Sequence, residues 1–198
     1  MRHQIQAEGF GLRLRPVELT DAPFIIWLRN LGHALGRVGD SATDIASQET
    51  WLRQYFERPD DYYFIIETAV GHHALGTYGL WGFVGASAES GRWIVRPEVP
   101  AAIPSAILGI DVGFGQLGLK EIRVKTVSTN VHVLSLNRKF GMRETGVVKA
   151  DQIIGGQHVD QHTFILLPED WSKARERLLP LARVAEPQIQ EYARAQTK

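Results

Sequence analysis

The 198-residue chain is 44% hydrophobic and 22% charged, the composition of an ordinary globular protein with enough apolar material for one sizeable core. Its 22 basic and 22 acidic residues cancel, so no electrostatic footprint points to nucleic acid or to an anionic membrane. With no cysteine there is no disulfide framework, thiol catalysis or thiolate metal site; the opening MRHQIQAEGF lacks the apolar core of a signal peptide, and no apolar run reaches 18 residues.

In chain order, GFGLRLRPVE alternates as a half-buried strand does. Thr20 and Asp21 then cap the helix APFIIWLRN, with Pro23 in its first turn, where a missing N–H costs little. Residues 31–46 are rich in Gly and small polar residues and read as a loop. SQETWLRQYFER reads as a second helix, ended by Pro59. A meander follows, YYFIIET, ALGTYGLWGFV and GRWIVRP, with turns at AVGHH and GASAES. Residues 99–117 carry a helical apolar repeat closed by Gly118.

EIRVKTV is a short strand, and NVHVLSLNRKFGM after it is an amphipathic helix with Val133, Leu136 and Phe140 on one side. Asn130 is its expected N-cap and Gly141 its C′ residue. Two more strands, RETGVVK and HVDQHTFILL, precede a C-terminal amphipathic helix with a break expected at Pro180 or Pro187. The strand–helix–strand step over 89–127 implies one right-handed parallel connection in an otherwise antiparallel sheet. Ligands gather where strand direction changes, which places a cleft between residues 91–96 and 121–127. The fold class is thus α/β (α+β), with residues 1–170 as one domain and 171–198 as a C-terminal helical extension.

Over residues 10–170 this order resembles the GNAT superfamily of acyltransferases. LRLRPVELTDAPFIIWLRN resembles its opening strand and helix, GRWIVRPE with the helix ending FGQLGLKEIRV resembles its coenzyme A segment, and TNVHVLSLNRKFGMRETG resembles its N…S…Y-E-K-x-G-F segment. The branch resembled is that of ribosomal-protein N-terminal and amino-sugar N-acetyltransferases. The resemblance implies a mixed, mostly antiparallel sheet with a splayed parallel pair and flanking helices. It also implies acetyl-CoA as donor, a primary amine on an amino sugar, peptide or small molecule as acceptor, and direct attack with no covalent enzyme intermediate. No metal, nucleic acid or membrane partner is expected, the location is cytoplasmic, and the tail after residue 170 offers a surface for a homodimer.

The resemblance also distributes roles. Arg96, Val99 and the amides of Ala101, Ala102 and Ile103 occupy the pyrophosphate segment, where the family has a Gly-rich loop and this chain has Arg96-Pro97-Glu98-Val99-Pro100-Ala101. Ile94 and Val95 supply a backbone N–H to the thioester oxygen. Asn130 meets the pantetheine arm as well as capping its helix. Asn137 stands where many members carry the Tyr that protonates the thiolate, so a hydrogen bond from its amide, or Ser135, or a water, fills that role. Arg138, Lys139 and Arg143 are candidates for the 3′-phosphate, and Glu89 for the general base. His72 and His73 fall in a turn, His158, Asp160 and His162 share a strand face, and Trp81 and Trp93 read as core or cleft wall. A different class stays open: a non-catalytic GNAT-like binding protein with a degenerate coenzyme A loop.

Overall fold

The structure, a computed structural model, describes residues 3–32, 34, 42, 44–154 and 156–197. Most of the loop expected over 31–46 lies outside the described residues. The opening stretch is a hairpin rather than one strand: β1 (Ala7–Gly9) turns at Phe10 and Gly11, whose φ values are 55° and 75°, into β2 (Leu12–Pro16). The alternation is real, but a left-handed pair in mid-pattern reverses the chain.

A single 3-10 turn at Leu19–Asp21 leads to α1 (Ala22–Arg29). Asp21 closes a capping box with Glu18 and takes a bidentate pair of 2.8 Å hydrogen bonds from Arg15. The second helix, α2 (Ile45–Phe56), begins two residues earlier than expected because Asp44 caps it, accepting from the Ser47 amide at 2.9 Å. The meander is β3 (Tyr62–Thr68), β4 (Ala74–Val84) and β5 (Ser87–Val95). Then α3 (Ala102–Asp111) runs into a π-helical segment, Val112–Gln116, before β6 (Glu121–Val127). The remainder is α4 (Val131–Lys139), β7 (Arg143–Ile154), β8 (Gln157–Leu166) and α5 (Pro168–Gln196).

All eight strands join one sheet in the order β1-β2-β3-β4-β5-β6-β8-β7. Every neighbouring pair is antiparallel except β5–β6. One face packs against α1 and α2 through Ile25, Leu52, Tyr55, Tyr63 and Ile65. The other packs against α3, α4 and α5 through a larger core that includes Phe64, Leu80, Ile107, Phe140, Phe164 and Ile189.

The expected break in the last helix is absent. Helix α5 runs through Pro180 and Pro187, whose rings lie on its exposed side. Each proline removes one N–H bond, but the buried stripe of Trp171, Ala174, Leu178, Ala182, Ala185 and Ile189 continues past both. Packing of that stripe on the core outweighs the two lost bonds.

Candidate active site

The parallel ladder between β5 and β6 holds three register pairs, Ser87–Glu121, Ala88–Ile122 and Glu89–Arg123, and stops. Beyond Glu89 the two strands diverge and form no further register pair. This is the cleft expected between residues 91–96 and 121–127. Two cavities occupy it, of about 330 Å³ and about 410 Å³, and Trp93, Asn130 and Val133 line both.

The larger cavity runs beside Ile94, Val95, Arg96, Pro100 and Ala102, and meets α4 at His132 and Leu136. It ends at the start of α3, where the expected phosphate cradle needs correction. The Ala101 amide is already spent, donating to the Val99 carbonyl at 2.7 Å. Pro104 has no N–H. The helix therefore offers Ala102 and Ile103 as its first-turn amides, which have no acceptor within the helix. Val99 also lines the cavity, but it is 4% exposed and belongs to the core. Arg96 adds a cation held by Glu98 at 2.6 Å and stacked 4.8 Å over Trp27.

Asn130 does cap α4, its Oδ1 accepting from the Val133 amide at 3.4 Å, and it stands on the wall of both cavities. Asn137 lines the smaller cavity and is 3% exposed. One Nδ2–H is donated to Thr126 Oγ1 at 3.0 Å, which fixes the amide; the nitrogen carries a second N–H. The turn after α4 is closed by Gly141 (φ 81°): its amide donates to Arg138 and that of Met142 to Asn137, both at 3.1 Å.

Several expected site residues are elsewhere. Ser135 is exposed on the far side of α4 and lines neither cavity. Arg138 also faces solvent, bonded to Glu144 at 2.7 Å, Arg143 pairs with Asp170 at 3.1 Å, and Lys139 is exposed. None of the three borders the cleft. Helical spacing explains it for α4: positions 135, 138 and 139 share the face opposite Leu136, Asn137 and Phe140. His72 pairs with Glu67 at 3.2 Å. Asp160 is held by Lys149 at 2.7 Å and His162 by Glu144 at 2.6 Å. Among the described residues no group of three or more His, Asp or Glu is placed to hold a metal ion.

Glu89 lines the smaller cavity, on the sheet face covered by α1 and α2, beside Trp81 and Arg92. Burial raises its carboxyl pKa above the ordinary value, against the opposing pull of Lys125, Arg123 and Arg92. Arg92, not singled out from the sequence, is held with φ 48°, a left-handed conformation that costs a non-glycine residue about 1–3 kcal/mol. Its guanidinium lies 4.4 Å from the Trp81 ring centre and 5.3 Å from those of Trp51 and Tyr63, and it binds both carboxylate oxygens of Asp61. The strained backbone turns this side chain into the cleft mouth, where an aromatic box and an ion pair fix it.

The splayed parallel pair opens a cleft with a helix N-terminus at one end and the half-buried carboxylate of Glu89 at the other. Residues 11–143 match the family model described as an acetyltransferase (GNAT) domain, and the chain belongs to that family. A search of curated protein sequences gives no match. Among solved structures the chain is similar to FdhC, described as a nucleotide-linked sugar GNAT, at 26% identity and TM-score 0.74, covering 92% of this chain and 99% of that one. A GNAT from Brucella melitensis aligns at TM-score 0.78 and 17% identity over 96% and 95% of the two chains. A mutant spermidine N-acetyltransferase from Vibrio cholerae aligns at TM-score 0.71 and 22% identity, over 85% and 99%. The last two likenesses concern the fold alone.

Proposed function

We propose that this chain is an N-acyltransferase that moves an acyl group from coenzyme A, with acetyl-CoA as the simplest donor, to the amine of an amino sugar. The observation that carries this reading is the end of the parallel ladder at Glu89, which sets a half-buried carboxylate at the mouth of a cleft leading to the α3 N-terminus. Coenzyme A lies along the larger cavity, its pyrophosphate near the Ala102 and Ile103 amides and Arg96. The amine nitrogen attacks the thioester carbonyl carbon. As the C–N bond forms and the C–S bond breaks, the electron pair leaves with sulfur. Glu89 takes the ammonium proton, directly or through water. A backbone N–H near Ile94–Val95 stabilises the oxyanion, and the Asn137 amide faces the departing thiolate, which ends protonated by solvent.

The amino-sugar acceptor is supported by the aromatic wall of Trp81 and Trp51 around Arg92, and by the likeness to the nucleotide-linked sugar GNAT. Calorimetric titration with acetyl-CoA and with free coenzyme A is the first test, followed by thiol release with amino sugars, peptides and polyamines as acceptors. Micromolar coenzyme A binding with turnover on amino sugars is the expected result. No binding at millimolar ligand would leave a non-catalytic GNAT-like protein instead.

A further inference from the structure

Arg96 follows the last residue of β5, and its backbone N–H still donates to the Leu75 carbonyl of β4 at 2.8 Å. Its side chain leaves the end of the sheet and borders the larger cavity. Two aromatic rings, from helices on opposite faces of the sheet, flank it. The guanidinium carbon lies 4.8 Å from the ring centre of Trp27 on α1 and 5.6 Å from that of Tyr192 on α5. Both distances are within cation–π range, so the rings hold the cation without consuming its N–H groups. Tyr192 is itself packed against the larger core. The far end of α5 therefore reaches the part of the cleft that ends at the α3 N-terminus.

Glu98 takes the N–H groups. Its Oε1 accepts from Arg96 Nε at 2.6 Å and lies 2.5 Å from Nη2, an edge of the guanidinium that suits an oxyanion. A carboxylate at this point of the chain opposes a pyrophosphate at the start of α3 by like charge. The backbone around it is stiff: Pro97 and Pro100 have restricted φ, and Val99 between them is buried in the core. The Glu98 side chain is 44% exposed, so it can rotate off Arg96 while the loop backbone stays in place.

Resting on the N-acyltransferase reading, we propose that Arg96, Trp27 and Tyr192 form a preset phosphate clamp, in which Glu98 holds the place of the coenzyme A pyrophosphate and is displaced by it. The exchange is the rotation of one side chain. Glu98 lowers affinity for coenzyme A by competing for Arg96, and Tyr192 raises it by keeping the cation aimed. The C-terminal helix is thereby part of the binding site as well as of the core.

Calorimetric titration of the full chain with coenzyme A and with dephospho-coenzyme A, which keeps the pyrophosphate but lacks the 3′-phosphate, tests this. Glu98→Gln is expected to tighten both ligands by about two- to fivefold. Glu98→Asp keeps the charge on a shorter side chain that falls short of Arg96, and is expected to recover part of that gain. Tyr192→Leu fills the space without a ring and is expected to weaken both ligands by about two- to fivefold, whereas Tyr192→Phe binds like the wild type. Unchanged or weaker binding by Glu98→Gln overturns the proposal. A gain confined to coenzyme A also overturns it, by putting the 3′-phosphate at Arg96. Wild-type affinity in Glu98→Asp reduces Glu98 to a repelling charge, and wild-type affinity in Tyr192→Leu removes the clamp; either overturns the proposal. Acyl transfer stands in all of these cases. Failure of the wild-type chain to bind either ligand overturns the N-acyltransferase reading itself, and this proposal with it.

Discussion

Glu89 stands opposite Arg123 in the last register pair of the parallel ladder, so the proposed base sits where the sheet begins to open. Its position follows from the backbone: beyond Glu89, β5 and β6 form no further register pair. Replacing Glu89 with Gln keeps the shape and removes the proton acceptor. The expected result is a fall in kcat/KM of about 10²–10⁴ with little change in coenzyme A affinity.

The pH profile gives a second check on the same group. A base works when ionised, and burial raises the Glu89 pKa above the ordinary 4.5. Activity should therefore climb as pH rises through that elevated value and be lost below it. Glu89→Gln should flatten this limb, and an unchanged limb would assign it to another group.

Asn137 and Thr126 form a buried pair, at 3% and 5% exposure, that ties α4 to β6. Asn137→Ala leaves the Thr126 hydroxyl without its donor. The expected loss of stability is about 1–3 kcal/mol by denaturant unfolding. A double-mutant cycle with Thr126→Val should show coupling, because the second change removes the polar group stranded by the first.

Gly109 lies on α3 directly against the Tyr78 ring. A Cβ there would stand 2.5 Å from two ring carbons. Gly109→Ala must displace the ring or the helix, and the overpacking should cost about 1–3 kcal/mol despite the gain in helix propensity. Thermal unfolding reads the effect, and an unchanged Tm would mean that the ring moves freely.

Pro180 is exposed in mid-helix and contributes nothing to the buried stripe. Pro180→Ala restores an N–H and should stabilise the protein, by up to about 3 kcal/mol. An upward shift in Tm of several degrees is the expected readout, and a downward shift would mean that α5 depends on a kink at this residue.

The order of elements was legible because each helix and strand carries its own period and punctuation: the 99–117 repeat, the Asn130 cap, the Gly141 stop. From that order alone followed the single parallel connection, and with it the cleft at 91–96 and 121–127. Glu89 came from the family resemblance rather than from that order, and the structure places it on the cleft wall. The hairpin at Phe10–Gly11 and the unbroken α5 were not legible, because a turn inside an alternating pattern and two prolines inside a helical one are decided by what they pack against.

Local sequence thus determined the elements, their order and the place of the cleft, all consequences of short-range periodicity and chain connectivity. Tertiary structure decided which side chains reach the cleft. It turned Ser135, Arg138 and Lys139 to solvent, committed the Ala101 amide to Val99, and brought Arg92, Tyr78 and Ala106 together from three elements. Those outcomes depend on a left-handed residue in β5, on the rotation of α4 and on the packing of α3 over β4. None of these has a local signature, because each is a contact between segments far apart in the chain.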